Sequence, residues 1–370
     1  ALLADVIYRK TNGNPFFLIN FLRSIYDNKF LWCTPTGGWT WDLDKIKGMQ
    51  VSDNVLELMI DRINSLGQTT REMLKIASCI GNRFDLESIA LLSGRSFESA
   101  LTDLRDAMEE GIVYLSGIHY YFLHHRVQEV IYSMIPEQER SRLHYRIGHL
   151  HADASSPEET TEKIFYIVHQ LNSGVACTGS REERIQLARL NLTAGQKAKS
   201  STAYLSAESY LDTGIGLLDD ESWERDYRLA FDLHFEKAEC EYLNGKFERA
   251  NDILDFLLSH AVSKVDKARV HDKRIIIMTN LGNHRAGMEY GLEALRMFGI
   301  RIPAAPARVR IMKGVITAAL LLGRRKIREL LDANEITDPE KIMIMTLCMD
   351  TGTSAYFVNN DVVALLALTM

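Results

Sequence analysis

Tyr120-Tyr121-Phe122-Leu123-His124-His125-Arg126-Val127-Gln128-Glu129-Val130-Ile131-Tyr132 is the stretch on which the fold turns. It opens as a strand, dense in aromatic and branched residues. It becomes a helix at once, because Val127, Val130, Ile131 and Met134 recur at i, i+3, i+4 and i+7 and so share one face. Upstream, the pattern mixes short helices with hairpins. Downstream, only helical patterns follow, for more than two hundred residues. The stretch is therefore a junction between two architectures. Pro136 is its natural pivot, since proline loses a helix hydrogen bond and restricts Ile135 before it. A chain built this way is expected to pass a conformational state from one side to the other, or else to hold two domains at one angle as a rigid joint.

Working back from the junction, Ile112 to Leu115, a Ser116-Gly117 turn and His119 to Leu123 read as a small hairpin. Three short helices precede it. The first, Thr69 to Ile80, stops at Gly81. The second has Asp85 as its N-cap, worth about 1 kcal/mol, and stops at Gly94. The third opens at Ser96 and carries Phe97, Leu101, Leu104 and Met108. Three helices and a two-stranded wing form the winged-helix pattern. That pattern often binds DNA through its third helix, but Ser96 to Gly111 carries Glu98, Asp103, Asp106, Glu109 and Glu110 against Arg105 alone. Phosphates would repel such a helix, so no nucleic acid is expected, and the winged helix reads as a packing and regulatory module.

Further upstream, Asp53 to Leu66 is expected to be a helix with Val55, Leu56, Met59, Ile60 and Ile63 on one face. Phe30-Leu31-Trp32 and Trp39-Thr40-Trp41 flank a five-residue hairpin loop, Thr34 to Gly38. The simplest reading packs this tryptophan hairpin on the neighbouring helices; partner docking is the alternative. In Thr11-Asn12-Gly13-Asn14-Pro15-Phe16-Phe17, Gly13 can take the left-handed conformation that ends a helix. Pro15 suits the first turn of the next, along which Phe17, Phe21 and Ile25 follow at i, i+4 and i+8.

Downstream, Ser156-Pro157-Glu158-Glu159 opens a helix with a capping box and an N-terminal proline; Ile164, Phe165, Val168 and Leu171 point inward. A weak repeat then emerges. Gly245-Lys246-Phe247-Glu248-Arg249-Ala250 joins two helices, and Gly282-Asn283-His284-Arg285-Ala286-Gly287 repeats the frame 37 residues later. Thr202-Ala203-Tyr204-Leu205-Ser206-Ala207 is an earlier copy, 43 residues before, without the turn glycine. The spacing suits tetratricopeptide-like hairpins, which must stack to bury their apolar faces and so form a groove. Pro303 and Pro306 break the rhythm before less regular helices over Arg308 to Leu322, Arg324 to Leu331 and Pro339 to Phe357.

Composition sets outer bounds. A net charge of −6 offers no global basic field for nucleic acid or anionic membrane. Five scattered cysteines, with no Cys-x-x-Cys pair, read as reduced thiols in a cytoplasmic protein. The longest apolar run, Val315 to Leu322, is too short to span a bilayer. Both ends fall inside apparent helices, so the chain is expected to be a piece of something larger. No phosphate loop and no dinucleotide-binding glycine motif occurs. His124 and His125, with His144, His149 and His151, form the histidine cluster, but no cysteine or carboxylate completes a metal-ligand set. These are read as structural or surface histidines. No catalytic residue is assigned.

Five motifs in order carry a family resemblance: Asn12-Gly13-Asn14-Pro15-Phe16-Phe17, Trp39-Thr40-Trp41-Asp42-Leu43, Ser52-Asp53-Asn54-Val55, Gly81-Asn82-Arg83-Phe84-Asp85-Leu86 and His125-Arg126-Val127-Gln128-Glu129-Val130. The chain resembles the middle of large bacterial signalling proteins that follow a serine/threonine-kinase-like domain with a STAND-class AAA ATPase and helical repeats, often ending in a sensor histidine kinase. The family pattern Phe-x-His-Asp-Arg-Val-Gln-Glu differs at this place, so His124 or His125 takes a differently charged position. The resemblance implies a mainly α fold: an ATPase lid remnant with the tryptophan hairpin over 1–50, a winged helix with small hairpins over 51–135, and a tetratricopeptide-like α-solenoid over 136–370. It implies that Gly13, Asn14 and Pro15 are the lid element whose proline abuts adenine once the upstream ATPase core is present. The segment itself would hold no cofactor and have no enzyme activity, whereas ATP and magnesium, ATPase and kinase activity belong to the whole protein. Implied partners are the ATPase core in cis and a protein or peptide in the repeat groove, with no membrane. A STAND-type transcription regulator with a ligand-sensing repeat domain is the alternative, to be told apart by the flanking domains.

Overall fold

The computed structural model describes residues 2–11, 13, 15–35, 37–49, 59, 60, 62–303, 308–323 and 335–370. By contacts the chain forms two compact units, Ala1–Gly179 and Ser180–Met370.

The first unit begins with α1 (Leu2–Thr11) and α2 (Pro15–Asp27). Gly13 turns between them at a φ of 71°, the left-handed conformation expected of it. Phe21 and Ile25 of α2 bury against Ile7 and against Ile46 of α3 (Leu43–Gly48), whereas Phe17 packs on the larger core further along the chain. Strands β1 (Leu31–Cys33) and β2 (Trp39–Trp41) pair antiparallel, with Leu31 opposite Trp41 and Cys33 opposite Trp39. As the simplest reading holds, the hairpin packs on the neighbouring helices, through Phe30 and Leu31 against the small core of Ile7, Phe21, Ile25 and Ile46. Its tryptophans Trp32, Trp39 and Trp41 are exposed, and Trp39 meets Tyr26 of α2 edge to face, 6.1 Å between centroids.

Of the expected helix Asp53 to Leu66, Val55 and Leu56 lie outside the described residues, while Met59 and Ile63 of the same face are buried. Next come α4 (Gln68–Ile80), β3 (Arg83–Phe84), α5 (Leu86–Ser93), α6 (Phe97–Glu109), β4 (Val113–Ser116) and β5 (His119–Phe122). Caps form where the sequence placed them. The Asp85 carboxylate accepts from the Ser88 N–H at 2.7 Å, and the Ser96 hydroxyl from the Ser99 N–H at 3.2 Å. The strands order as β3-β5-β4, all antiparallel. Two-residue β3 is too short to show periodicity in the sequence. It puts Phe84 against Tyr120 and Phe122 at the centre of the core. On α6 the buried face is Ala100, Leu104 and Ala107, whereas Phe97 and Met108 are exposed.

After Leu123 and His124, α7 (His125–Ser133) leads into α8 (Glu137–Asp153), α9 (Pro157–Glu162) and α10 (Ile164–Ser173). Val127, Val130 and Ile131 are buried as expected, but Met134 sits at the C-cap and is exposed. Ile135 is buried in the same core as Leu143 and Ile147 of α8. The residues flanking Pro136 are thus held in one hydrophobic body, and Pro136 caps a helix within it. By packing, the first unit continues to Gly179.

The second unit stacks helical hairpins: α11 (Arg181–Ser200) with α12 (Tyr204–Gly216), α13 (Tyr227–Leu243) with α14 (Phe247–His260), and α15 (Lys264–Asn280) with α16 (His284–Met297). Arg308–Leu322 is α17. The last hairpin is α18 (Pro339–Val358) with α19 (Asn360–Ala367). The first helices of successive hairpins also touch, α11 on α13, α13 on α15 and α15 on α18. The three expected turns are equivalent: φ is 78° at Gly245, 75° at Gly282 and 61° at Thr202, where the glycine is missing. Ala207, Ala250 and Gly287 are buried at the helix crossings. The fold is mainly α, with small β-hairpins in the first unit and stacked helical hairpins in the second. Pro306 and the expected helix Arg324 to Leu331 lie outside the described residues.

Candidate functional site

Pro15, Ile19 and Arg23 on one face of α2 line a cavity of about 380 Å³, closed on other sides by Met59 and Ile63, by Gly111 and Ile112, and by His124 and Val127. Gly13 forms the turn that delivers Pro15, and Asn14 lies outside the described residues. The walls are largely aliphatic, with Arg23, Arg62, Glu110 and His124 as the ionisable groups. The sequence singled out Pro15 and His124 for separate reasons; the fold brings them to one cavity.

His124 is held there by a local device. It is the N-cap of α7, in extended conformation, and its Nδ1 accepts the Arg126 N–H at 3.1 Å. The ring lies 4.2 Å from that of His125, which stands where the family pattern has aspartate. Burial, then the neighbouring His125 and Arg126, hold the His124 pKa below the ordinary histidine value. Neutral His124 can accept the capping bond; protonated His124 cannot. Arg126 pairs with Glu129 at 3.1 Å.

Behind the cavity, α7 is tied to its neighbours by a buried polar relay. Gln128 Nε2 donates to the Ser78 carbonyl at 2.9 Å. Gln170 Nε2 donates to the Cys79 carbonyl at 3.0 Å, which leaves its Oε1 facing His144 Nδ1 at 2.6 Å. Nδ1 therefore carries the proton, and Nε2 accepts from the Tyr132 hydroxyl at 2.9 Å. Burial lowers the His144 pKa, so the relay is neutral, with the Gln170 bond acting in the opposite sense. His151, seven residues on, rests edge-on against Tyr166. Among the described residues, no group of three or more His, Cys, Asp or Glu could hold a metal ion.

In the second unit, cross-hairpin ion pairs run along the first helices. Lys199 bonds Glu239 at 2.8 Å, Lys273 bonds the same Glu239 at 3.1 Å, and Arg269 bonds Asp232 at 3.3 Å. Beside them a cleft of about 440 Å³ opens between α15 and α18, lined by Phe235, Arg269, Asp272, Ile342 and Met343 among others. Arg269 stacks on Phe235, 4.6 Å from the ring centroid. Burial, then a hydrogen bond to Asp350, pushes the Asp272 carboxyl up to about 7. Sequence reasoning missed this cleft, since the spacing of Val265, Arg269 and Lys273 marks a helix face and nothing more.

No family model matches the sequence. Hybrid signal transduction histidine kinase G of Dictyostelium discoideum is 25% identical over 361 residues, covering 80% of this chain and 10% of that protein. The chain therefore spans about a tenth of the length of this relative. A solved signal transduction ATPase with numerous domains, carrying a tetratricopeptide repeat sensor and coming from Pyrococcus horikoshii, aligns over 95% of this chain and 47% of that one, at 15% identity and a TM-score of 0.37. Among the described residues, no helix is long and apolar enough to cross a membrane.

Proposed function

We propose that the chain is a non-catalytic regulatory and protein-interaction segment of a STAND-class signalling ATPase or kinase, coupling nucleotide state to a helical-repeat arm. The observation that carries this reading is the cavity that places Pro15 of the lid beside His124 of the junction helix. A nucleotide edge at the lid would act directly on the cap of α7, and through α7 on the relay of Tyr132, His144 and Gln170. Likeness to a signal transduction histidine kinase along most of the chain supports the same setting. In this reading Gly13, Asn14 and Pro15 meet adenine, while ATP and magnesium are bound chiefly by an ATPase core supplied in cis. Helices α4 to α6 with their sheet act as a winged helix that packs rather than reads DNA. Asp103 of α6 is already engaged by Arg95 at 2.7 Å and by the Thr69 hydroxyl at 3.1 Å, which ties this acidic helix inward. The groove of the second unit takes a protein or peptide partner.

The test uses the segment and the intact protein together. The purified segment is expected to turn over no ATP. In the intact protein, Pro15→Ala is expected to weaken binding of a fluorescent ATP analogue several-fold without lowering the melting temperature. ATP turnover by the segment, or unchanged nucleotide affinity in Pro15→Ala, contradicts the proposal.

A further inference from the structure

We propose that α17 is an interfacial helix that lies on an anionic membrane surface, a role beyond the coupling function above. Ile311, Gly314 and Ala318 are its half-buried positions, and a Cβ on Gly314 would stand 2.8 Å from Leu368 Cδ1, so this face is seated on α19. Val309, Met312, Ile316 and Leu320 recur at i, i+3, i+7 and i+11 and form one stripe on the opposite side of the helix. All four are exposed, Val309 at 70% and Leu320 at 76%. Val315 and Leu321 extend the apolar surface to either side and are exposed as well.

Charge says what covers the stripe. Arg308, Arg310 and Lys313 are exposed beside it. No aspartate or glutamate occurs between Glu293 and Glu329, a stretch with nine Arg and Lys residues in a chain whose net charge is −6. A basic helix with an outward apolar face fits an anionic bilayer interface, where aliphatic side chains enter the headgroup boundary and bases stay at phosphate level. Another stacked hairpin fits less well. Helices in this unit approach through small residues: Gly195 faces Leu211 at 2.8 Å and Gly214 faces Leu233 at 2.7 Å, as measured from an added Cβ. The corresponding seat on α17, Gly314, is already occupied. The exposed apolar surface is also wider than a single partner helix covers. The apolar run is too short to span a bilayer, but lying in the interface does not require spanning.

The experiment incubates the full chain with phosphatidylcholine vesicles, with and without phosphatidylserine, and sediments them. Binding is expected only with phosphatidylserine, with release at high salt. Met312→Glu with Ile316→Glu should abolish binding while the melting temperature holds, since both side chains are exposed. Each of Arg308→Gln, Arg310→Gln and Lys313→Gln should lower partitioning roughly fivefold. As a variant that keeps the surface apolar, Ile316→Trp should shift its emission to the blue when anionic vesicles are added. Failure to bind anionic vesicles, or undiminished binding by the double glutamate variant, overturns the proposal. Self-association, or binding of an acidic helical peptide, that the double variant abolishes in the absence of vesicle binding gives the stripe to another occupant and also overturns it.

Discussion

Thr202 holds a left-handed φ of 61° where the two later turns have glycine. A β-branched residue there carries a steric cost of about 1–2 kcal/mol, partly offset because glycine would lose more freedom on folding. The Thr202 side chain is exposed and forfeits no packing on removal. Thr202→Gly is therefore expected to stabilise the protein by about 0.5–1 kcal/mol, read as a higher melting temperature. Asp272 works on the opposite principle. Its carboxyl keeps a proton between the ordinary value of 3.8 and about 7, a proton that the unfolded chain has released. Folding stability due to this group thus falls as pH rises through that window. Asp272→Asn keeps a neutral partner for Asp350, so its melting temperature should change less over the same window and exceed the wild type above neutrality. The gain is on the order of 1 kcal/mol, measurable by thermal melts at several pH values.

At the level of elements, the hairpin stack depends on glycine where a second helix lies too close for a side chain. A Cβ on Gly291 of α16 would collide with Thr351 of α18, a residue with no exposed surface. Gly291→Ala is expected to cost about 1–3 kcal/mol, seen as a lower denaturant midpoint; Ala286→Gly on the same helix, being partly exposed, should cost no more than about 1 kcal/mol. Much of this level was legible in the sequence. Helix stops at Gly81 and Gly94, caps at Asp85, Ser96 and Ser156, and the repeat frames at 245 and 282 all follow from local chemistry, which a single sequence carries in full. Three things were hidden because they depend on partners distant in the chain. The strand β3 exists only through pairing with β5. The exposure of Trp32, Trp39 and Trp41 follows from Phe30 and Leu31 being the hairpin residues that meet the small core. Gln170, on a helix that reads as ordinary, reaches the Cys79 carbonyl far back in the sequence. The candidate site divides the same way: Pro15 and His124 were legible singly, whereas their shared cavity and the Asp272 cleft required the fold.

For the molecule as a whole, the decisive feature is where one packed body ends. Ile135, Leu143 and Ile147 belong to one core, so the chain on both sides of Pro136 packs into it; the compact units part at Gly179 and Ser180. We place the transmitting step of the proposed coupling at the chain link between Gly179 and Ser180, where the units part. Inserting two glycines after Ile135 should lower the melting temperature of the first unit, because it separates residues of one core. The same insertion after Gly179 should leave the melting of both units unchanged. The most direct test of the account is the nucleotide-dependent signalling output of the intact protein carrying that second insertion. Loss of nucleotide dependence with both units melting as before is the predicted result, and full nucleotide-dependent output would contradict it.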